Sequence, residues 1–435
     1  MERVRVGFVG LGTVGGSFYE LLAGNADEIS RRLGLAIEVP VVAVRDPSRP
    51  RAVGAGTRVV GDWRLVLDDP SLAVVVELVG GTGVARDVVR GALERGKHVV
   101  TANKALLAAH GEQLFALARA KGVELLFEAS VCGGVPIVKV LRESLLGNRV
   151  GRILGIVNGT TNYILTRMSE EGLGYAEALA EAQAMGFAEA DPTADVSGAD
   201  AAQKISILAS VAFGSWVDWR EVLCEGITRV TPRDIAFARS AGYVFKLVAA
   251  ASLVEGRPLV TVYPAMVPLD HPLAAVRGEY NGVMVDADFL GPSVYQGRGA
   301  GGRPTASSLA SDLGDLARIL AAGPAARPRG PTFEPRGLFP ADRLRCRCCF
   351  HFVTANRPGI WALVTGTLAD NGINIESVHQ KWEDRTLPSD LFVLVDEAEE
   401  AQLRRALSLV VAGPGISAES RYFRILDGGA GGGGA

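Results

Sequence analysis

The chain lacks any run of about 18 apolar residues free of charge and glycine breaks, which argues against a membrane-spanning helix. It opens straight into a strand pattern, with no charged leader and no small-residue cleavage site, so a secretory signal is not expected. Its five cysteines, at 132, 224, 346, 348 and 349, are odd in number and make no disulfide framework. Cys346, Cys348 and Cys349 lie too close together for a usual zinc spacing and have no second pair. A one-sided charge is also missing: 45 Lys and Arg against 48 Asp and Glu leave a net charge of −3. Nothing there favours nucleic acid or an anionic membrane. A reduced, cytoplasmic protein is expected. What the chain does have is 435 residues with 48 % apolar content, enough for two to three domains with real cores.

The N-terminal third reads as a nucleotide-binding domain. The apolar strand Val4 to Val9 runs into Gly10-Leu11-Gly12-Thr13-Val14-Gly15 and then into a helical pattern through Phe18, Leu21 and Leu22. GxGxxG between a strand and a helix is the context a dinucleotide turn requires. Gly10 suits the tight turn, Gly12 lets a pyrophosphate approach, and Gly15 lets helix and strand pack. Thr13 and Val14 open the helix, whose N-terminus favours phosphate. The second strand, Val39 to Val44, ends at Arg45-Asp46. An arginine there can pair with a 2′-phosphate, so Arg45 favours NADP, while Asp46 leaves NAD open. Further strands at Ala73 to Val79, His98 to Val100 and Glu124 to Ser130 alternate with helices, the pattern of a doubly wound parallel sheet. Thr101 to Lys104 follows one such strand, which aims Lys104 at the cofactor cleft.

A second chemical cluster spans Gly186 to Lys204. It holds four carboxylates, Glu189, Asp191, Asp195 and Asp200, and one lysine among small and apolar residues. From Ala199 onward the apolar spacing predicts a helix, placing Asp200 and Lys204 four apart on one face. The preceding Gly, Pro and Thr predict a loop that can aim Glu189, Asp191 and Asp195 at the same spot. A carboxylate beside a lysine can hold the amine and tune it for proton transfer. The plainer alternative is a solvated salt bridge.

These segments resemble the homoserine dehydrogenase family. The resemblance is carried by Gly96 to Leu107 (GKHVVTANKALL), Glu128 to Pro136 (EASVCGGVP), Asn158 to Leu165 (NGTTNYIL), Gly186 to Lys204, and Gly297 to Gly301 with Pro304 to Ser307. It runs in order from about residue 3 to 320. The resemblance implies reversible oxidation of homoserine to aspartate 4-semialdehyde with a nicotinamide, on the route to threonine and methionine. It implies Lys204 as the proton-handling group, Asp200 as its orienting partner, and Lys104 between cofactor and substrate. Glu189 would take the substrate ammonium, with Gly159, Thr160, Asp195 and Asp200 lining the same site. Gly186 and Gly301 would join the cofactor contacts. The family usually has Tyr where Phe187 stands.

The resemblance further implies a sodium ion held by Glu128 and the carbonyls of Val131, Gly133 and Val135, hard donors for a hard cation. Without it, Gly133-Gly134 reads as a tight turn and Glu128 as a hydrogen-bonded carboxyl. Cys132, usually Ala in the family, has no nearby His and reads as a small buried hydrophobe.

The expected organisation is a Rossmann domain over 1–150, with closing elements contributed by 305–320. An α+β catalytic and dimerisation domain covers 151–320, and a Pro-rich linker covers 321–345. Residues 346–425 form a ferredoxin-like regulatory domain, and 426–435 a disordered Gly-rich tail. The last module is similar to an ACT domain, with Asn356-Arg357-Pro358-Gly359 in place of its usual acidic turn. That implies an amino-acid effector, threonine, and the family implies a homodimer or homotetramer. Because the chain starts at the Rossmann strand, a fused kinase is not expected. The rival reading is a catalytically inactive amino-acid sensor, and a third is a different semialdehyde or hydroxy-acid dehydrogenase.

Overall fold

The computed structural model describes residues 2–323, 330–381 and 388–426, so the Gly-rich tail and part of the linker lie outside the described residues. Short Val-rich segments spaced by helices build a six-stranded parallel sheet. Its spatial order is Arg58–Val60, Ala36–Ala43, Arg3–Val9, Val74–Glu77, His98–Thr101, Leu125–Leu126. This is the doubly wound order with its switch point beside the first strand, where ligands bind beyond the strand ends. The register slips between the Arg5–Glu38 and Gly7–Val41 pairs, around Pro40, which has no N–H to give to a ladder. The helix Gly302–Ala322 packs on the helix Thr13–Gly24 and buries Leu309, Leu313 and Leu316 against Val4, Val6 and Phe8.

The expected strand from Glu124 to Ser130 shortens to Leu125–Leu126 and turns at once into the single helical turn Glu128–Ser130. The cause is local. The Glu128 N–H donates to Asp312, and its carboxylate accepts from the Val138 and Lys139 N–H groups, so the backbone must curl.

The rest of the chain builds one mixed sheet of ten strands. Strands Val150–Ile156, Tyr243–Val254, Arg257–Pro268, Tyr280–Ala287 and Gly291–Arg298 form the central part, under the helices Gly159–Glu171 and Ala199–Phe213. The C-terminal strands continue the same sheet in the order Arg421–Ile425, Arg345–Thr354, Ser389–Glu399, Ile375–Lys381. With helices Ile360–Asp370 and Glu400–Val411, this is a split βαβ arrangement.

The Pro-rich stretch carries an expectation of few crossing contacts, and the structure shows the reverse. Arg421–Ile425 pairs in parallel with Arg257–Pro268 through Ala265–Arg424 and Met266–Ile425. Asp234, 1 % exposed, receives Arg421 at 2.6 Å and His351 at 2.6 Å. Phe237 stacks on Phe392 at 4.1 Å. The described part of the linker is seated too: Phe333 lies 5.2 Å from Trp216, and the Phe339 N–H donates to Pro258 at 2.7 Å. Removing one partner of a buried ion pair costs about 3–5 kcal/mol. Cutting the chain near residue 330 is therefore expected to yield a destabilised, aggregating fragment, seen as a large fall in melting temperature and a broad size-exclusion profile. A monodisperse fragment melting with the full chain would contradict the joined sheet.

Candidate active site

Each glycine of the dinucleotide turn meets a distinct steric demand. Gly10 has φ +105, and a Cβ there would lie 2.5 Å from the Leu78 carbonyl oxygen. A Cβ at Gly15 would lie 2.7 Å from the Gly10 oxygen, so the helix packs tightly on the strand. Nothing lies within 4 Å of a Cβ at Gly12, which leaves open space over the start of the helix that Thr13 and Val14 begin. Gly301 caps the helix Gly302–Ala322, whose first residue abuts Ser17 and Thr13. The residues present fit a dinucleotide: open backbone, a helix N-terminus, and the strand ends on one side.

At the end of the second strand Arg45 is exposed. Asp46 is engaged locally: its carboxylate accepts the Ser48 hydroxyl at 2.6 Å and N–H at 3.1 Å, and these bonds lower its pKa. Sequence reasoning passed over Arg51. Its guanidinium donates to the Leu11 carbonyl at 3.3 Å and the Asp46 carbonyl at 3.4 Å, while its buried Nε has no partner. Arg51 thus bridges the glycine turn and the strand end. The sequence signal was the arginine spacing 45, 49, 51.

The second cluster centres on Asp200, in the first turn of helix Ala199–Phe213 and 7 % exposed. Lys204 reaches it at 2.7 Å and Lys104 at 3.1 Å, so one carboxylate bridges two ammonium groups from distant parts of the chain. Lys104 is placed by its neighbour. Asn103 caps the helix Lys104–Lys121 by accepting from Leu106, and its amide donates to the Gly81 carbonyl at 2.7 Å. The buried Glu77 steadies the same corner through the Thr101 hydroxyl at 2.6 Å and the Val79 N–H at 2.8 Å.

The electrostatics follow from burial and charge. Burial would raise the Asp200 carboxyl, but Lys204 and Lys104 hold it well below the usual carboxylate range. Burial is the largest single influence on the Lys204 amine and would lower it, but the charge and hydrogen bond of Asp200, with further support from neighbours including Asp195, together raise the pKa. Lys204 is therefore a held ammonium, with its other contact the Val157 carbonyl at 2.8 Å.

Two asparagines that sequence reasoning did not single out complete the cluster. Asn158 caps helix Gly159–Glu171 through the Thr161 N–H, and its Nδ2 donates to Asp195 at 2.7 Å and Asp200 at 2.8 Å. Asn281, fully buried, donates to the same Val157 carbonyl that Lys204 uses, at 3.1 Å. Asn158 was legible as a cap before Gly-Thr-Thr; Asn281 carried no local signal.

The remaining candidates divide. Gly159 begins the Asn158-capped helix. The Thr160 hydroxyl donates to the Phe187 carbonyl at 2.7 Å, which spends it on fixing the loop. Phe187 packs on Tyr163 at 4.8 Å. Asp195 is joined to the cluster through Asn158, whereas Glu189 is exposed and Gly186 lies in the turn after helix Tyr175–Ala184. Asp191 serves its own turn by accepting from Thr193.

Glu128 is 1 % exposed and its carboxyl is pushed up to about 7 by burial, against its backbone hydrogen bonds. Asp312, 2 % exposed, is raised as well, by burial and then by Glu128. The two carboxyls are joined through the Glu128 N–H, which donates to Asp312 at 2.8 Å, and both Glu128 oxygens accept backbone N–H groups, from Val138 and Lys139. Gly133 O accepts from the Ser308 hydroxyl at 2.6 Å. Cys132 is fully buried and its thiol is pushed up to about 11 by burial, so it is no thiolate nucleophile.

Among the described residues no helix is long and apolar enough to cross a membrane. Residues 136–313 match the family described as homoserine dehydrogenase, and residues 10–128 match its NAD-binding domain. A homoserine dehydrogenase of Pseudomonas aeruginosa is 42 % identical over 98 % of this chain and 99 % of its own. One from Synechocystis is 41 % identical over 97 % and 99 %. The crystal structure of a homoserine dehydrogenase from Thiobacillus denitrificans superposes with a TM-score of 0.93 at 38 % identity, covering 99 % of both chains. A hyperthermophilic archaeal homoserine dehydrogenase in complex with NADPH matches with a TM-score of 0.62 at 29 % identity over 72 % of this chain and 96 % of that one. Family match, full-length relatives and a superposable fold agree, and the chain belongs to the homoserine dehydrogenase family, an NAD(P)-dependent oxidoreductase with a Rossmann sheet joined to a mixed catalytic sheet.

Proposed function

We propose that the protein interconverts homoserine and aspartate 4-semialdehyde, with Lys204 moving the hydroxyl proton. The observation that carries this is the Lys204–Asp200–Lys104 bridge, buried at Asp200 and Lys204 and open at Lys104, beyond the strand ends of the dinucleotide domain. When bound, the nicotinamide supplies or accepts the hydride. In aldehyde reduction Lys204, held as an ammonium, gives its proton to the developing alkoxide oxygen. In homoserine oxidation Lys204 first releases its proton to solvent, and the resulting amine takes the hydroxyl proton. Asp200 stabilises the ammonium and, with the Val157 carbonyl, fixes its direction. Asp195 lies ready for the substrate ammonium beside Asn158, and Glu189 offers a second carboxylate from the loop.

A fall of roughly 10²-fold or more in kcat is expected for Lys204→Ala, with cofactor binding kept, because a positioned general acid contributes about that much. The measurement is absorbance at 340 nm with homoserine or the semialdehyde. Near-normal turnover would remove Lys204 from the mechanism. Two subsidiary readings have their own tests. Glu128 with the Val131, Gly133 and Val135 carbonyls holds a sodium ion that braces the turn, and an unchanged melting temperature in choline in place of sodium salts would remove it. The C-terminal unit is an ACT module for an amino-acid effector, threonine, and absence of inhibition by threonine would remove that.

NADP is the preferred cofactor. Two arginines, Arg45 and Arg51, stand at the ribose end of the cleft, while Asp46 spends its carboxylate on Ser48. Arg45→Ala and Arg51→Ala are each expected to raise the KM for NADP several-fold and leave that for NAD nearly unchanged, since only NADP offers a phosphate to a guanidinium. Equal effects on both cofactors would assign the arginines to the fold instead.

A further inference from the structure

We propose that Glu225 is a positioning residue for Asp195, the carboxylate that takes the substrate ammonium, and is held in place by Arg424 on the last strand of the C-terminal module. This rests on the reading of Asp195 as a substrate ligand. Asp195 lies in the one-turn helix Thr193–Val196, too short to hold itself by its own hydrogen bonds. Its backbone is backed by the segment Cys224 to Ile227. The Ile227 N–H donates to the Val196 carbonyl at 2.9 Å. Gly226 lies so close that a Cβ there would fall 2.1 Å from the Val196 oxygen and 2.7 Å from the Ser197 Cα. The Cys224 thiol donates to the Ser197 carbonyl at 3.4 Å. Any displacement of this segment therefore moves the turn that carries Asp195.

Two contacts fix the segment. On one side the Glu225 N–H donates to the Val262 carbonyl at 2.8 Å, within the catalytic sheet. On the other, the Glu225 carboxylate accepts both Nη groups of Arg424, at 3.0 and 2.8 Å, a two-point grip that fixes direction as well as distance. Arg424 is itself immobilised. It is 1 % exposed, bonded to the fully buried Glu400 at 2.7 and 3.0 Å, and lies 4.5 Å from the Tyr263 ring. The module's sheet and helix thus anchor a guanidinium whose free side holds the backing of the substrate loop. A change in the module that moves the last strand is felt at Asp195 through the Arg424–Glu225 ion pair, the backbone from Glu225 to Ile227 and the Ile227–Val196 hydrogen bond.

Glu225 is 43 % exposed at its side chain, so Glu225→Gln removes the charge without burying an unpaired group. In the full chain this variant is expected to raise the KM for homoserine roughly three- to tenfold, the range for substitutions along a coupling route. The kcat and the KM for NADP should stay close to those of the parent protein. Hydrogen exchange at the Ile227 amide should quicken. A lowered melting temperature with unchanged KM and unchanged exchange would assign Glu225 a merely structural role and overturn the proposal. Asp195→Asn, measured alongside, separates the two readings. If Asp195→Asn raises the homoserine KM and Glu225→Gln does not, the positioning role falls alone. If Asp195→Asn leaves it unchanged, the substrate-ligand reading falls and the positioning claim falls with it.

Discussion

The Asp200 carboxylate is the point on which the site depends. A buried charge is tolerated only when it is paired and its remaining bonding positions are filled. Asp200 meets this with Lys204, Lys104 and the Asn158 amide. Each of these comes from a different element, so the carboxylate ties together the helix Ala199–Phe213, the start of helix Lys104–Lys121 at a Rossmann strand end, and the cap of helix Gly159–Glu171. The dinucleotide domain and the catalytic sheet are thereby brought into register at the place where hydride and proton must move together.

A second layer of constraint surrounds that bridge. The Val157 carbonyl accepts from both Lys204 and Asn281, which fixes the amine from below. Glu77, Thr101 and Asn103 fix the corner from which Lys104 extends. On the far side, the continuous ten-stranded sheet makes the C-terminal unit part of the catalytic body. Effects on the module would reach the site through packed strands and ion pairs.

The parts of this arrangement legible in the sequence were those written in short, local patterns. The glycine turn follows from steric demands inside six residues, and the Asp200–Lys204 pair from helical spacing. The alternation of strand and helix gave the parallel sheet. Long-range partnerships were not legible. Lys104 meets Asp200 across 96 positions of chain, and Arg424 meets Glu225 across 199. Asn281 sits in an apolar strand whose alternation hides a single polar residue with a specific partner. The Pro-rich linker misled for a related reason. Proline content reports local stiffness, and it carries no information about the aromatic socket that receives Phe333 or the contacts that bury Phe339.

The most direct test of the central claim is the pH dependence of kcat for semialdehyde reduction in Asp200→Asn. Lys204 must be protonated to act as donor, so this rate falls as pH rises through the lysine's pKa in the bound complex. In the parent protein the Asp200 carboxylate raises that pKa against the lowering effect of burial. With the charge removed, burial loses its main opponent and only weaker support such as that of Asp195 remains, so the alkaline limb is predicted to move to lower pH, with a reduced plateau. A limb that stays in place in a folded, cofactor-binding variant would show that Asp200 does not set the protonation of Lys204.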